Sequence, residues 1–416
     1  MQKLRGKIYQ LLRWSEQYTK TDMIYLAQGG FWLIAAKIVS LLASFCTSIA
    51  FANLLLPETY GTYRYILSVF GFLTITTLVG LDTAITRTVA KGNDGSIVPV
   101  LKTKIKWGLL GGLIGIGLGL YYYFQHNYII ALCIFIASVF LPIMDPLYLF
   151  TAVLNGKKLF KISTKYNATI RILTSLAIIT ALFLTSNIFI ILLVYFVSNT
   201  LLRLIFSKLT FKKINLMGPQ DPTAISYGKH LTLMSLLGQL STYLDKILIF
   251  HYAGGSALAI YYFAQTPFKQ VQGILNTFNI LALPKFSAAE VKTLKSTLPK
   301  KLFKSYLMII LIVIIYIFTA PYLFKIFYPQ YLKSVFLSQL FILLLLLFPI
   351  NLFSSALTSQ SQTKKLYIST TTYAIIRSTL LMILVPVFGI YGAAATILLS
   401  NLISAVQVAY LFFRMT

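Results

Sequence analysis

About twelve apolar runs, broken by short polar segments, fill the chain. They fall at roughly 30–55, 64–86, 107–124, 128–154, 167–185, 187–209, 230–253, 257–283, 304–324, 335–357, 366–387 and 389–413. Each is long enough to cross a bilayer as a helix. In lipid, a stretch of this kind satisfies its own backbone only as a helix. The pattern therefore predicts an all-α polytopic membrane protein of about twelve transmembrane helices. The segments at His126, Thr185–Asn187, Ala253–Gly255 and Gly389–Tyr391 read as tight turns. No segment is large enough for the catalytic loop of a membrane polymerase or glycosyltransferase.

The cations orient these runs. Of 36 Lys and Arg residues, 29 fall in the N-terminal segment, in every second loop and at the C-terminus. Only Arg64, Lys325 and Lys333 fall on the opposite side. The positive-inside rule places the 29, and both termini, in the cytoplasm. This accounts for the formal charge of +27 without a nucleic-acid partner. With 58% hydrophobic and 11% charged residues, lipid is the solvent for most of the surface, since soluble chains carry about 25% charged residues. Cys46 and Cys133 each sit inside an apolar run and read as small hydrophobes. His126, His230 and His251 are scattered. No metal site, cofactor motif, nucleotide loop or nucleophile–base pair is visible, so the chain is not expected to be an enzyme. No cleavable signal peptide is visible either. Residues Lys3 to Tyr18 interleave apolar and basic positions, which suits either a helix lying on the membrane surface or a polar tail.

The two halves resemble each other at an offset of 198 residues, which pairs Tyr63 with Tyr261 and Gly61 with Ala259. Six runs per half make the halves parallel, and parallel repeats place a substrate site between two bundles. The expected division is a cytoplasmic segment over 1–29, an N-lobe over 30–209, a cytoplasmic linker over 210–229 and a C-lobe over 230–414. Gly111, Gly115 and Gly119 recur every four residues and predict a close helix-packing face. Pro142, Pro146, Pro267, Pro349 and Pro386 lie inside runs and predict kinks.

The stretch FANLLLPETYGTYRYILSVFGFLTITTLVGLDTAITRTVAKG (51–92) resembles the opening of the polysaccharide biosynthesis and transport family, which includes the Wzx-type O-antigen flippases. STYLDKILIFHYAGGSALAIYYFA (241–264) resembles that family's seventh and eighth helices. The family belongs to the multidrug/oligosaccharidyl-lipid/polysaccharide (MOP) exporter superfamily. The resemblance implies a pair of six-helix lobes in the MOP flippase fold, alternating access to the two leaflets of the bacterial inner membrane. It implies a substrate of undecaprenyl diphosphate carrying an oligosaccharide unit, for O-antigen, capsular or exopolysaccharide synthesis. A polysaccharide polymerase and a chain-length regulator would then be protein partners. Two other roles stay open: a cation-coupled drug antiporter of the same superfamily, and a non-transporting partner of a polymerase.

The family carries no short catalytic motif, so candidate site residues come from charge. A charge at mid-membrane costs about 2.5–3.5 kcal/mol on insertion scales and marks a cavity or a partner. Lys37, Lys246, Lys269 and Arg377 fall at such depth, as do Asp145 and Asp245. The four cations are candidates for binding a diphosphate. Helices 1, 7 and 8 are expected to line the cleft. The two carboxylates are candidates for ion coupling. Arg171 and Arg203 lie near the cytoplasmic boundary, where they would either receive the headgroup or snorkel to lipid. The competing expectation is internal pairing, of Asp245 with Lys37 or Arg377 and of Asp82 with Arg87. Gln239, Ser241, Thr242, Tyr243, Gln265, Gln272 and Asn276 offer polar partners for a sugar chain.

Overall fold

The computed structural model describes residues 23–214, 216–287, 291–360 and 362–414, with side chains left out of account at 23–37, 277–287, 291–293 and 300–304. The surface segment expected at Lys3 to Tyr18 and the side chain of Lys37 lie outside the described residues. Among the described residues every element is helical. They are α1 (Met23–Leu54), α2 (Pro57–Leu73), α3 (Gly80–Ala90), α4 (Ile97–Phe124), α5 (Tyr128–Leu147), α6 (Leu149–Gly156), α7 (Phe160–Leu184) and α8 (Ile188–Phe211). After the linker come α9 (Ala224–Ser287), α10 (Val291–Phe327), α11 (Val335–Ile342), α12 (Asn351–Ser359) and α13 (Thr363–Phe413). Short 3₁₀ turns join α2 to α3 and α11 to α12. Eight helical stretches among these are long and apolar enough to cross a membrane, and a ninth is added if α2 and α3 count as one span.

The long helices α9 and α13 each fold back on themselves. In α9 the Tyr261 hydroxyl donates to Asp245 Oδ2 at 2.8 Å. Sixteen residues of straight helix would separate them by about 24 Å. The reversal falls at Gly254, whose φ of 83° only glycine adopts cheaply. In α13 the Asn401 amide reaches the Tyr373 hydroxyl at 3.5 Å across the reversal at Gly389, φ 55°. Both turns sit where the run pattern separates two apolar stretches.

The second apolar run is broken. Leu78 takes a left-handed φ of 61°, and α3 leaves the line of α2 by 49°. The hydroxyls of Thr74, Thr76 and Thr77 bond back to the carbonyls of Gly71, Leu73 and Thr74, which caps the frayed end. Pro142 and Pro146 lie within α5, which ends just beyond them, and Pro386 precedes the Gly389 turn.

Glycines bring the helices together. On α4, a Cβ at Gly115 would lie 2.2 Å from Ser138 Oγ and one at Gly119 2.4 Å from the Phe135 ring, so this glycine face packs against α5 as its spacing predicts. A second seam runs along α2, α3 and α9. A Cβ at Gly61 would lie 1.8 Å from the Gly255 carbonyl oxygen, one at Gly71 2.4 Å from the Tyr243 ring, and one at Gly80 2.4 Å from the Gly228 carbonyl oxygen. The linker docks beneath, where Gly95 N–H donates to the Pro219 carbonyl and Asp221 N–H to Ser96 Oγ. The Asp221 carboxylate accepts from the hydroxyl and amide of Thr223, which holds it below the usual carboxylate range.

Gly61→Ala is expected to lower thermal stability in detergent by about 1–3 kcal/mol, the usual cost of overpacking. Gly117→Ala, where a Cβ meets nothing within 4 Å, is expected to leave the melting temperature unchanged. Equal melting of the two variants would refute the seam.

Candidate functional site

A cavity of about 1010 Å³ separates the helices before the linker from those after it. It is lined by α1, α2, Tyr148, α6 through α8 and the second arm of α9. Ser40, Ser44, Thr47 and Ser48 form a hydroxyl stripe along α1. Asn155 and Asn167 face it, as do Thr266, Gln270 and Asn276 of α9. Four cations line it: Arg64, Arg171, Arg203 and Lys269. No Asp or Glu does so among the described residues.

The cavity closes at the end carrying the Gly255 turn. There Glu58 Oε2 accepts from the amide and the hydroxyl of Ser256 at 2.9 and 2.8 Å. Phe45 meets Phe327 with ring centroids 5.3 Å apart, and Ser48 Oγ lies 2.9 Å from the Tyr328 hydroxyl. Arg64 sits just below this closure. Its guanidinium carbon is 3.7 Å from the centroid of the Tyr262 ring, with Tyr60, Tyr63 and Phe51 at 5.0, 5.6 and 5.9 Å. Arg64 Nε donates to the Tyr60 hydroxyl at 2.7 Å. The π-faces stabilise the cation, yet none of the four aromatic groups neutralises it.

The other three cavity cations are likewise free of carboxylates among the described residues. Arg171 donates from Nε and Nη2 to Ser44 Oγ at 3.0 and 2.7 Å. Arg203 donates from Nη1 to the Met144 carbonyl at 2.9 Å and lies over the Tyr148 ring at 4.7 Å. Its Nε is buried without a partner. Lys269 is exposed to the cavity, and its Nζ lies 5.5 Å from the Tyr262 ring centroid.

Lys246 and Arg377 have a different fate. Both neutralise Asp245, which is 1% exposed: Lys246 Nζ lies 2.8 Å from Oδ1 and Arg377 Nη2 3.4 Å from Oδ2. Neither lines the cavity. The expected Asp245–Arg377 pair is present. Asp82, expected to meet Arg87, instead pairs with Lys104 at 2.7 Å, because Lys104 is fully buried. Lys104 Nζ also lies 3.3 Å from Asp145 Oδ2, which in turn accepts from the Thr77 hydroxyl. Arg87 stacks over the Tyr227 ring at 4.8 Å. Thus two carboxylates share one ammonium in the first half, and two cations share one carboxylate in the second.

Position along a run concealed two of these roles. By position along the chain Arg64 belongs to an outer turn and Lys104 to one of the basic segments between apolar runs. The aromatic neighbours Tyr60 and Tyr63, four and one residues before Arg64, are the signal that could have marked it. Of the expected sugar partners, Asn276 faces the large cavity, and Ser241, Thr242 and Gln272 face a second one. Gln265 is buried, and its Nε2 has no partner. Among the described residues no three His, Cys, Asp or Glu come together in a way that would hold a metal ion.

The family model described as polysaccharide biosynthesis protein matches residues 26–290. No curated protein matches the sequence. Several solved structures share the fold. One, described as the inward-facing conformation of a multidrug resistance MATE family transporter of the MOP superfamily, superposes with a TM-score of 0.65 at 13% identity, covering 93% of this chain and 100% of that one. The lipid II flippase MurJ in an inward closed conformation gives 0.64 at 15% identity, with 91% and 86% covered. An outward-facing MATE family transporter gives 0.53 at 15%, with 92% and 94% covered. At such identities the likeness is one of fold.

Lys104→Met would leave Asp82 and Asp145, whose side chains are 36% and 20% exposed, without their counter-charge. It is expected to destabilise the protein by about 1–3 kcal/mol, less than for a fully buried pair because water reaches both carboxylates. Adding Asp82→Asn and Asp145→Asn should restore most of that loss. Thermal unfolding in detergent reads both effects, and a triple variant no more stable than Lys104→Met would contradict the network.

Proposed function

The chain belongs to the polysaccharide biosynthesis protein family, and from that premise we propose that it carries polyprenyl-diphosphate-linked oligosaccharide across the bacterial inner membrane. One observation carries this reading: a cavity of about 1010 Å³ between the two groups of helices is lined by four cations and by no carboxylate among the described residues. A diphosphate brings about two negative charges, and arginine and lysine donors match its oxygens. In a site with restricted water their attraction exceeds that in bulk solvent. The hydroxyls and amides of α1, α7 and α9 suit the sugar chain, while the polyprenyl tail stays in lipid.

Movement follows from the closure at one end only. By the charge pattern, the Glu58–Ser256 end faces outward and the Asn155 end faces the cytoplasm. A headgroup would enter from the cytoplasm past Arg203 and Arg171 and move up to Lys269 and Arg64. Opening the outer side would require separating Glu58 from Ser256 and Arg64 from Tyr262. Flipping would then place the unit where a polymerase consumes it.

The drug-antiporter reading shares the fold. A cationic drug would meet only like charge in this cavity, which favours the anionic substrate. A non-transporting partner would have no need of an open polar cavity of this size. For ion coupling, Asp145 is the better of the two candidates. Asp245 already holds two cations, whereas Asp145 and Asp82 share one.

The test is flipping of a fluorescent lipid-linked oligosaccharide by purified protein in liposomes. Lys269→Gln and Arg64→Gln are each expected to slow flipping about tenfold or more, a loss of about 1.4 kcal/mol or more. Lys246→Met, whose charge is spent on Asp245, is expected to alter substrate binding far less. Unchanged flipping in both cavity variants would reject the reading.

A further inference from the structure

A second cavity, of about 300 Å³, lies within the helices after the linker. The second arm of α9 lines both cavities. Thr266, Lys269, Gln270 and Gly273 of that arm face the large cavity, while Phe268 and Gln272 face the small one. The two spaces differ in chemistry. No charged residue lines the small cavity. Its polar groups are hydroxyls and amides, and Tyr373 and Phe268 add aromatic surface.

Several of these groups already have a partner. Ser241 and Thr242 donate to the Gly238 carbonyl, and the Asn401 amide donates to the Ile397 carbonyl. Their oxygens keep free lone pairs. Gln272 and Asn351 face the cavity from different helices, and neither side chain has a hydrogen-bond partner among the described residues. Each primary amide brings two donors and an acceptor. Asn351 is exposed and Gln272 half-buried, so both amides are open to water and available to a ligand.

We propose that this cavity is a saccharide subsite, taking an uncharged sugar residue of the lipid-linked oligosaccharide while the cations of the large cavity hold the diphosphate. The volume lies at the lower end of ligand pockets, about 300–1,000 Å³, which fits one or two sugar rings and excludes a longer chain. Neutral amides and hydroxyls recognise a polyol without the desolvation that charged groups would impose, and the tyrosine and phenylalanine rings offer apolar faces to its C–H surface. Lys269 and Gln272 are three residues apart on one helix, so a single element would report on both parts of the ligand. The inference rests on the proposed substrate class and assigns the sugar contacts within it.

Binding to the full chain in nanodiscs tests this. The probes are the lipid-linked oligosaccharide pool extracted from the producing cells and bare undecaprenyl diphosphate. Wild type is expected to bind the sugar-bearing pool more tightly than the bare lipid. Gln272→Leu and Asn351→Leu should each shrink that difference about threefold to tenfold and leave bare-lipid binding unchanged, which also reports an intact fold. Lys269→Gln should weaken both ligands alike. A wild-type preference that survives both leucine variants overturns the subsite, as does equal wild-type binding of the two probes. Binding of neither probe by wild type overturns the proposed substrate, and the subsite with it. A leucine variant that fails to fold is replaced by Ser354→Ala, judged by the same ratio.

Discussion

An ionised side chain below the membrane surface needs an opposite charge or water, and the deep charges of this chain divide according to which they find. Lys104 sits between Asp82 and Asp145, and Asp245 sits between Lys246 and Arg377. These clusters tie helices within each group; the first keeps one excess negative charge and the second one excess positive charge, and none of their members lines the large cavity. Arg64, Arg171, Arg203 and Lys269 have no such partner among the described residues and line the large polar cavity. Low dielectric makes an unpaired cation expensive, so a cavity of this size and these cations belong together. The seam of glycines between α2, α3 and α9 supports the arrangement. It holds the two groups of helices against each other along one side and leaves the space open along the other.

Much of the helical framework could be read from the sequence. Most apolar runs fall on helices, and eight or nine helical stretches among the described residues are long and apolar enough to cross a membrane; the turns at Gly254 and Gly389 fall between runs, where glycine takes those φ values without strain. The glycine spacing on α4 matched its packing face. The break after α2 was not visible. Its cause is a left-handed leucine within an unbroken apolar run, with threonine hydroxyls taking over the backbone bonds.

The charged residues were harder to place. Counting cations along the chain gave a consistent topology but no depth. Lys104 belonged to a basic loop cluster by spacing, yet it is fully buried because two carboxylates from other helices reach it. Arg64 was counted with an outer turn, yet it points inward to a ring of aromatics. Lys246 was a candidate ligand by depth, and its neighbour Asp245 claims it. Position along the chain is one-dimensional, whereas pairing depends on which helices pack together.

Glu58 and Ser256 are 198 residues apart, and so are Arg64 and Tyr262. The same offset aligns the two halves of the sequence. Equivalent positions that touch lie on the axis relating the halves, where a pair of identical subunits would set glutamate against glutamate and arginine against arginine. Like charges at that distance repel, so neither clasp is open to a homodimer of single halves. Joining both halves in one polypeptide lets the two sides of the axis differ, as complementary clasps of this kind require.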